Sequence, residues 1–304
     1  MGSDACPAPD RGIGPGIIRG SMAGPHAFYR AVAPPPALRP YIHAFWVYEG
    51  YLPAHGRERV LPTGTVEWVI PLAGQRLEWR ELDGAEGHHS GAHVAGPRLT
   101  AYDVPTAQQA LLAGVHFRVG GAWPLLGIPQ EELAERHVEL ASVWGADVED
   151  WVTRLREAKG TEDRFALLGE LFLARLDVRR ASHPEVARAL ARLHESAAEV
   201  SVASLVMGSG LSHRRFIELF RREVGLTPRD LLRVRRFQRA LASTRRGASP
   251  SLTWLAHEAG YFDQSHWLLE CRKLAGLSPG ALVSTARGAE VLPPEERGQM
   301  LPIG

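Results

Sequence analysis

Leu205, Gly210, Phe216 and Phe220 lead into Gly225-Leu226-Thr227-Pro228, and further along Leu255, Gly260, Trp267 and Cys271 lead into Gly276-Leu277-Ser278-Pro279. The intervals are 5, 6, 4 and 5 residues in the first stretch and 5, 7, 4 and 5 in the second. This is one unit written twice. Within each copy, a glycine supplies the positive φ of a tight turn. Two bulky residues four apart share one helix face. A second glycine stops the helix, and Thr-Pro or Ser-Pro caps and opens the next one. That is a helix-turn-helix, and two in tandem suit the reading of two adjacent DNA grooves.

Working outward, Pro184–His194 reads as a first helix, Ser201 caps a second running to Met207, and Ser212 caps a third that ends at Gly225. Phe216, Leu219 and Phe220 form its core stripe, so His213, Arg214, Ile217, Glu218 and Arg221 fall on the other face. The helix opened by Pro228 extends to Thr244, 17 residues, or roughly 26 Å. It carries Arg229, Arg233, Arg235, Arg236 and Arg239, expected to serve phosphate or inter-module contacts. The second copy is read as helix 252–259, turn Gly260-Tyr261-Phe262 and helix Asp263–Leu274, followed by a final helix from Ser278-Pro279.

Charge follows the same division. The net formal charge is +1, but residues 184–287 hold 16 Lys+Arg against 9 Asp+Glu, a local +7 that leaves −6 for the rest. A basic module joined to an acidic one is the electrostatic signature of a nucleic-acid binder. Cys6 and Cys271 are the two cysteines, which excludes a disulfide framework and a multi-cysteine zinc site. Asp4 and the lack of an apolar segment before Gly24 argue against a signal peptide, and no apolar run approaches a membrane span. A cytoplasmic setting is expected.

Residues 184–287 resemble the DNA-binding domain of AraC/XylS-family transcriptional regulators, most plainly in the run Ala256-His257-Glu258-Ala259-Gly260-Tyr261-Phe262-Asp263-Gln264-Ser265-His266 and in the two Gly-Leu-Thr/Ser-Pro stops. The resemblance implies base contacts near the start of each recognition helix. By position these fall on Arg214, Ile217 and Glu218, and on Gln264, Ser265, His266 and Leu269. Chemically, Arg214 suits guanine O6/N7, Gln264 suits adenine N6/N7, and Glu218 can accept from cytosine N4. His213, Arg221, Arg222, Arg229, Arg272 and Lys273 read as backbone contacts, which add affinity without sequence information. The family commonly has arginine where this chain has Glu218 and Leu269, and phenylalanine at Cys271. The Cys271 thiol is expected to be a small buried side chain.

The N-terminal half reads differently. Residues 1–37 are rich in Gly and Pro and are expected to be disordered or extended, as is the tail 288–304. Strand signals occur at Tyr41–Glu49, Thr65–Leu72, Leu77–Trp79 and Val115–Arg118, with turn chemistry at Pro62-Thr63-Gly64, Asp83-Gly84 and Gly120-Gly121. Helical periodicity follows at Pro129–Glu135, Asp147–Ala158 and Glu162–Arg175. Leu38-Arg39-Pro40-Tyr41-Ile42, Leu61-Pro62-Thr63-Gly64 and Gly114-Val115-His116-Phe117-Arg118 resemble an uncharacterised N-terminal domain found on many AraC-like regulators. That resemblance implies a cupin-like barrel followed by helices, serving as a sensor or association domain.

The expected fold class is therefore α+β: a cupin-like β-barrel with flanking helices over 38–180, then an all-α domain with two helix-turn-helix units over 181–287. Trp46, Trp68, Trp79, Trp123, Trp144 and Trp151 are expected to be core side chains, with an effector pocket as the alternative. Arg118 is expected in a structural ion pair, with an anionic effector as the alternative. His88, His89 and His93 read as a mobile loop tip, without the ligand spacing of a metal site. His257-Glu258 lacks the second histidine of a zinc-protease helix, Gly12, Gly14 and Gly16 lack dinucleotide spacing, and no P-loop or nucleophile elbow is present. No catalytic group, metal or cofactor is expected.

The sequence thus points to a DNA-binding transcriptional regulator acting on promoter DNA. Its candidate partners are an unidentified small-molecule effector, RNA polymerase and a second copy of the chain. Two alternatives stay open: a ligand-binding or protein-interaction module whose helix-turn-helix has degenerated, and an enzyme in the barrel.

Overall fold

The computed structural model describes residues 18–21, 28–51, 53–196, 200–244, 251–288 and 300–303. The disorder expected at 1–17 and 289–299, and Cys6, lie outside the described residues. The strands are β1 (Ile18–Ser21), β2 (Phe28–Val32), β3 (Ile42–Glu49), β4 (Arg57–Val60), β5 (Glu67–Pro71) and β6 (Leu77–Glu81). They continue with β7 (Glu86–His89), β8 (His93–Ala95), β9 (Tyr102–Pro105), β10 (Leu111–Phe117), β11 (His137–Glu139) and β12 (Met300–Ile303). The helices are α1 (Trp123–Leu126), α2 (Leu140–Trp144), α3 (Asp147–Glu157), α4 (Thr161–Arg175), α5 (Pro184–Ser196) and α6 (Val202–Ser209). They end with α7 (His213–Val224), α8 (Pro228–Ser243), α9 (Leu252–Glu258), α10 (Gln264–Ala275) and α11 (Pro279–Gly288).

The strands form two antiparallel sheets, ordered β1-β2-β3-β10-β5-β8-β11 and β12-β4-β9-β6-β7. The period of two along β3 explains how they meet. Phe45 and Val47 face a core shared with the helices, while Trp46 and Tyr48 face the second sheet beside Leu77, Leu112 and Met300. On the helical side, Trp68 lies 5.0 Å from Phe172 and 5.2 Å from Trp144, ring centre to ring centre. Helices α3 and α4 bury Val148, Val152, Leu155, Phe165, Leu168, Leu171 and Phe172, as their periodicity requires.

Several expectations are corrected here. The barrel is open, because among the described residues no ladder joins the edges of the two sheets. The edge strand β11 has three residues before helix α2 begins, which leaves no extended chain to bridge the gap. Segments expected to lack order contribute strands at Phe28–Val32, paired with β3, and at Met300–Ile303, paired with β4. Both are short apolar runs that find an unpaired sheet edge, a partner invisible in local composition. His88 and His89 are not a loop tip. Asp83 Oδ1 accepts the Ala85 N–H at 2.9 Å, Gly84 adopts φ 93°, and the chain turns there, so the histidines belong to the returning strand β7. The stretch Pro129–Glu135 holds one 3-10 turn, at Gln130–Glu132, in place of a helix.

In the C-terminal half, one core gathers Val186, Leu193, Leu205, Phe216, Phe220 and Leu231, and a second gathers Phe237, Leu241, Leu255, Trp267, Cys271 and Leu282. Helix α8 contributes to both, so the two units share one helix. The second core also takes in Leu61 just after β4, Ala101 just before β9 and Leu301 from β12. Among the described residues, no helix is long and apolar enough to cross a membrane.

Candidate nucleic-acid interface

Each helix-turn-helix is set by local chemistry. Ser201 and Ser204 form a reciprocal capping box at the start of α6. Gly210 makes the turn at φ 66°, Ser212 Oγ accepts the Arg215 N–H at 3.3 Å, and Gly225 ends α7 in the left-handed conformation. In the second unit Ser251 caps α9, Gly260 turns at φ 81°, and Asp263 Oδ1 accepts the His266 N–H at 2.7 Å. Gly276 closes α10. Ser201, Ser212 and the glycines are the caps, turns and stops anticipated from the sequence. Ser251 and Asp263 are caps not assigned from the sequence, where Asp263 is read as the first helical residue.

The exposed faces differ between units. On α7, His213, Arg214, Glu218, Arg221 and Arg222 are exposed, while Ile217 is half-buried against the first core. Arg214 Nε donates to Glu218 Oε1 at 2.8 Å, and Arg215 adds a second, longer contact to the same carboxylate at 3.7 Å. The paired guanidinium holds the Glu218 carboxyl below its ordinary value. On α10, Gln264, Ser265, Leu269, Arg272 and Lys273 are exposed. His266 is half-buried, accepts from the Phe262 N–H and sits edge-on to Tyr261, so it fastens the turn to the helix. Trp254, Phe262 and Leu269 are apolar yet 49%, 91% and 55% exposed, giving the second unit a hydrophobic outer surface.

The arginines of α8 have distinct tasks. Arg233 forms a two-pronged pair with Glu270, both contacts at 3.0 Å, which locks α8 to α10. Arg235 donates to the Leu193 carbonyl at 2.6 Å and Arg239 to the Ala259 carbonyl at 3.2 Å. Arg236 lies over the Tyr261 ring. Arg229 is exposed and, with Arg236 and Arg239, lines a groove that runs from Ser201 to Gly260. That groove joins the two units and presents positive charge between them.

The N-terminal domain holds the far end of both recognition helices. At α7, Arg221 pairs with Glu131 at 3.3 Å and the Arg222 guanidinium stacks over Trp123. The Gly225 backbone lies so close that a Cβ there would meet Pro97 and approach the Gln130 carbonyl to 2.8 Å. At α10, the Leu274 carbonyl accepts the Ala101 N–H at 2.8 Å, and the Ala275 carbonyl accepts from Arg59 at 2.9 Å. Arg59 is itself fixed by Asp103 through contacts of 2.7 and 2.9 Å. Arg221 and Arg222, read from the sequence as backbone contacts, therefore face the N-terminal domain. Helix periodicity places residues on a face but does not say what covers that face. Neither Arg59 nor Glu131 carries a sequence signal that marks it as a clamp.

Cys271 is fully buried, and burial pushes its thiol up to about 12, with the neighbouring Glu270 adding to the effect. It is an inert core side chain. Arg118 donates to the Arg39 carbonyl at 2.7 Å, a backbone partner in place of the expected ion pair. Among the described residues, no group of histidine, cysteine or acidic side chains could hold a metal.

Residues 206–284 match the family described as a helix-turn-helix domain, and residues 30–139 match a domain of unknown function, DUF6597. No curated protein matches the chain. Among solved structures, the C-terminal domain of AraT, a response regulator from Geobacillus stearothermophilus, is similar at 21% identity and TM-score 0.31, over 34% of this chain and 87% of that one. ToxT from Vibrio cholerae is similar at 8% identity and TM-score 0.42, over 79% of this chain and 98% of that one. ToxT bound to an unsaturated fatty acid is similar at 7% identity and TM-score 0.42, over 79% and 94%. The chain carries a helix-turn-helix domain behind a domain of unknown function. It is a DNA-binding transcription regulator.

Proposed function

We propose that this protein sets the start turns of α7 and α10 into two successive major grooves of promoter DNA, under the control of a small molecule held by the N-terminal domain. One observation carries the reading. Both recognition helices are clamped at their C-terminal ends by the N-terminal domain, while Arg214, Glu218, Gln264, Ser265 and Leu269 stay exposed at the other ends. A change in that domain then alters how the two reading ends sit relative to each other, which is the differential interaction that effector control requires. Base reading falls to Arg214, Glu218, Gln264, Ser265 and Leu269, with Ile217 and His266 as supports. His213, Arg229, Arg272 and Lys273 serve the phosphates.

Two units per chain let one copy occupy an asymmetric site. A second copy and RNA polymerase are the further partners this reading allows. We read the protein as non-catalytic and working where DNA is, in the cytoplasm. Fluorescence anisotropy of the full chain on its own upstream DNA and on a scrambled duplex, across a salt series, tests it. Selective binding that weakens steeply with salt is the expected result. The exposed Trp254, Phe262 and Leu269 favour a second reading, a protein-interaction module. Absence of selective, salt-dependent binding to any fragment of a genomic library would establish that one instead.

A further inference from the structure

Between the two sheets of the N-terminal domain lies a cavity of about 60 Å³, walled by Trp46, Trp79, His93, Tyr102, His137 and Met300 among others. Its lining contains unpaired polar atoms. Trp46 Nε1, His93 Nδ1 and both ring nitrogens of His137 are buried and have no hydrogen-bond partner. Buried polar groups are ordinarily satisfied, so several unsatisfied ones around one cavity indicate a missing occupant.

The walls fix the shape of that occupant. Trp79 stacks on His137 with ring centres 4.1 Å apart, and Tyr102 stands edge-on to His137 at 4.6 Å. Trp46 and Tyr48 form a second aromatic corner, 5.5 Å apart. Surfaces of this kind accept flat rings. The charge is equally constrained. Burial, reinforced by His89, pushes His93 down to about 3, and burial together with His93 holds His137 well below its ordinary value, so both rings are neutral. Arg98 lies over Tyr102 and pairs with Glu81, and it is not part of the lining. The charged side chains that reach the lining are Glu67 and Glu78, both negative. An anion therefore finds no counter-charge. A cation meets carboxylates that are already engaged, Glu78 with Arg76 at 3.2 Å and Glu67 with His116 at 3.3 Å, and it lies beside two neutral imidazoles. Each neutral imidazole presents one donor and one acceptor.

We propose that this cavity binds a small, flat, uncharged heteroaromatic molecule that accepts a hydrogen bond from Trp46 Nε1 and exchanges hydrogen bonds with His93 and His137. As the seat of the effector the site rests on the regulator reading above. As a binding site it stands on the cavity alone.

Three probes share one ring and differ in charge: nicotinamide, nicotinate and 3-(aminomethyl)pyridine. Binding to the full-length protein is followed by ligand-observed NMR and located by crystal soaking, with Trp46→Phe and His137→Phe as variants. Nicotinamide is expected to bind saturably between the sheets, each ionic analogue at least about tenfold more weakly, and each variant with about tenfold loss. Soaking crystals of the unaltered protein shows the position even where a variant fails to fold. Equal or tighter binding of either ion, a position outside the cavity, or no binding of nicotinamide or of other uncharged flat heteroaromatics would overturn the proposal. DNA anisotropy separates this from the regulator reading. Probes that occupy the cavity and leave operator affinity unchanged remove effector control and keep the site. An operator response to a small molecule, without cavity binding by the uncharged set, removes the site and keeps effector control.

Discussion

Arg214 Nε donates to Glu218 Oε1 at 2.8 Å on the exposed face of the first recognition helix. The side chain best suited to read guanine is thus held, in the free protein, by a carboxylate one turn away. A cytosine amino group presented to Glu218 would occupy the carboxylate and release the guanidinium to a neighbouring guanine.

Glu218→Gln therefore raises affinity for a scrambled duplex more than for the specific site, and the slope of log affinity against log salt steepens by about one. Arg214→Ala lowers affinity for the specific site about tenfold and relaxes its readout at one base pair. Anisotropy titrations on specific and scrambled duplexes measure both. Equal losses on the two duplexes would show that Arg214 contacts only the backbone.

The Arg233–Glu270 pair predicts an asymmetric pair of variants. Glu270 is 7% exposed, and Arg233 retains Asp230 at 3.4 Å as a second partner. Arg233→Met strands a buried carboxylate and costs about 2–3 kcal/mol, less than a fully dry pair because the arginine is partly solvated. Glu270→Gln keeps a hydrogen-bond acceptor and costs about 1 kcal/mol. Urea unfolding gives the two values.

Gly225 and Gly210 both have positive φ, at 87° and 66°, but only Gly225 is crowded, since nothing lies within 4 Å of a Cβ built at Gly210. Gly210→Ala costs about 1 kcal/mol from backbone strain alone. Gly225→Ala adds the clash with Pro97 and Gln130 and costs about 2–3 kcal/mol. It also loosens the N-terminal clamp on α7. Thermal unfolding ranks the two, and an operator affinity that changes only in Gly225→Ala would tie the clamp to DNA reading.

His93 makes stability depend on pH. Its folded value of about 3 lies below the ordinary 6.5, so below about pH 6.5 the unfolded chain binds a proton that the folded one refuses. Stability is retained above that pH and falls as the solution is acidified, by about 1.4 kcal/mol per pH unit for this one group. His137 acts in the same direction. Unfolding free energies near neutrality and near about pH 5.5 should differ accordingly, and His93→Gln should remove about half of the slope. An unchanged slope would mean that His93 is protonated or solvated in the folded protein.

The helix-turn-helix half was legible because its determinants are local. Ser201 and Ser212 cap the helices that follow them within three residues, and Gly210, Gly225, Gly260 and Gly276 supply backbone conformations that no distant contact needs to explain. The alternation along Ile42–Glu49 also marked a strand with two faces. It could not say that Trp46 would line a cavity while Trp68 packed on Phe172.

What the sequence by itself determined is the reading apparatus: two capped, glycine-stopped units on one shared helix, with Arg214 and Gln264 at their starts. Tertiary structure alone decided what that apparatus is packed against. Arg221 and Arg222 meet Glu131 and Trp123 across the domain boundary, His93 and His137 converge from separate strands, and Met300–Ile303 returns to pair with Arg57–Val60. The physical reason is the range of the interactions. Caps and turns are settled by hydrogen bonds within a few residues. Edge-strand pairing, ring stacking and inter-domain ion pairs depend on which distant surfaces the packed core brings together.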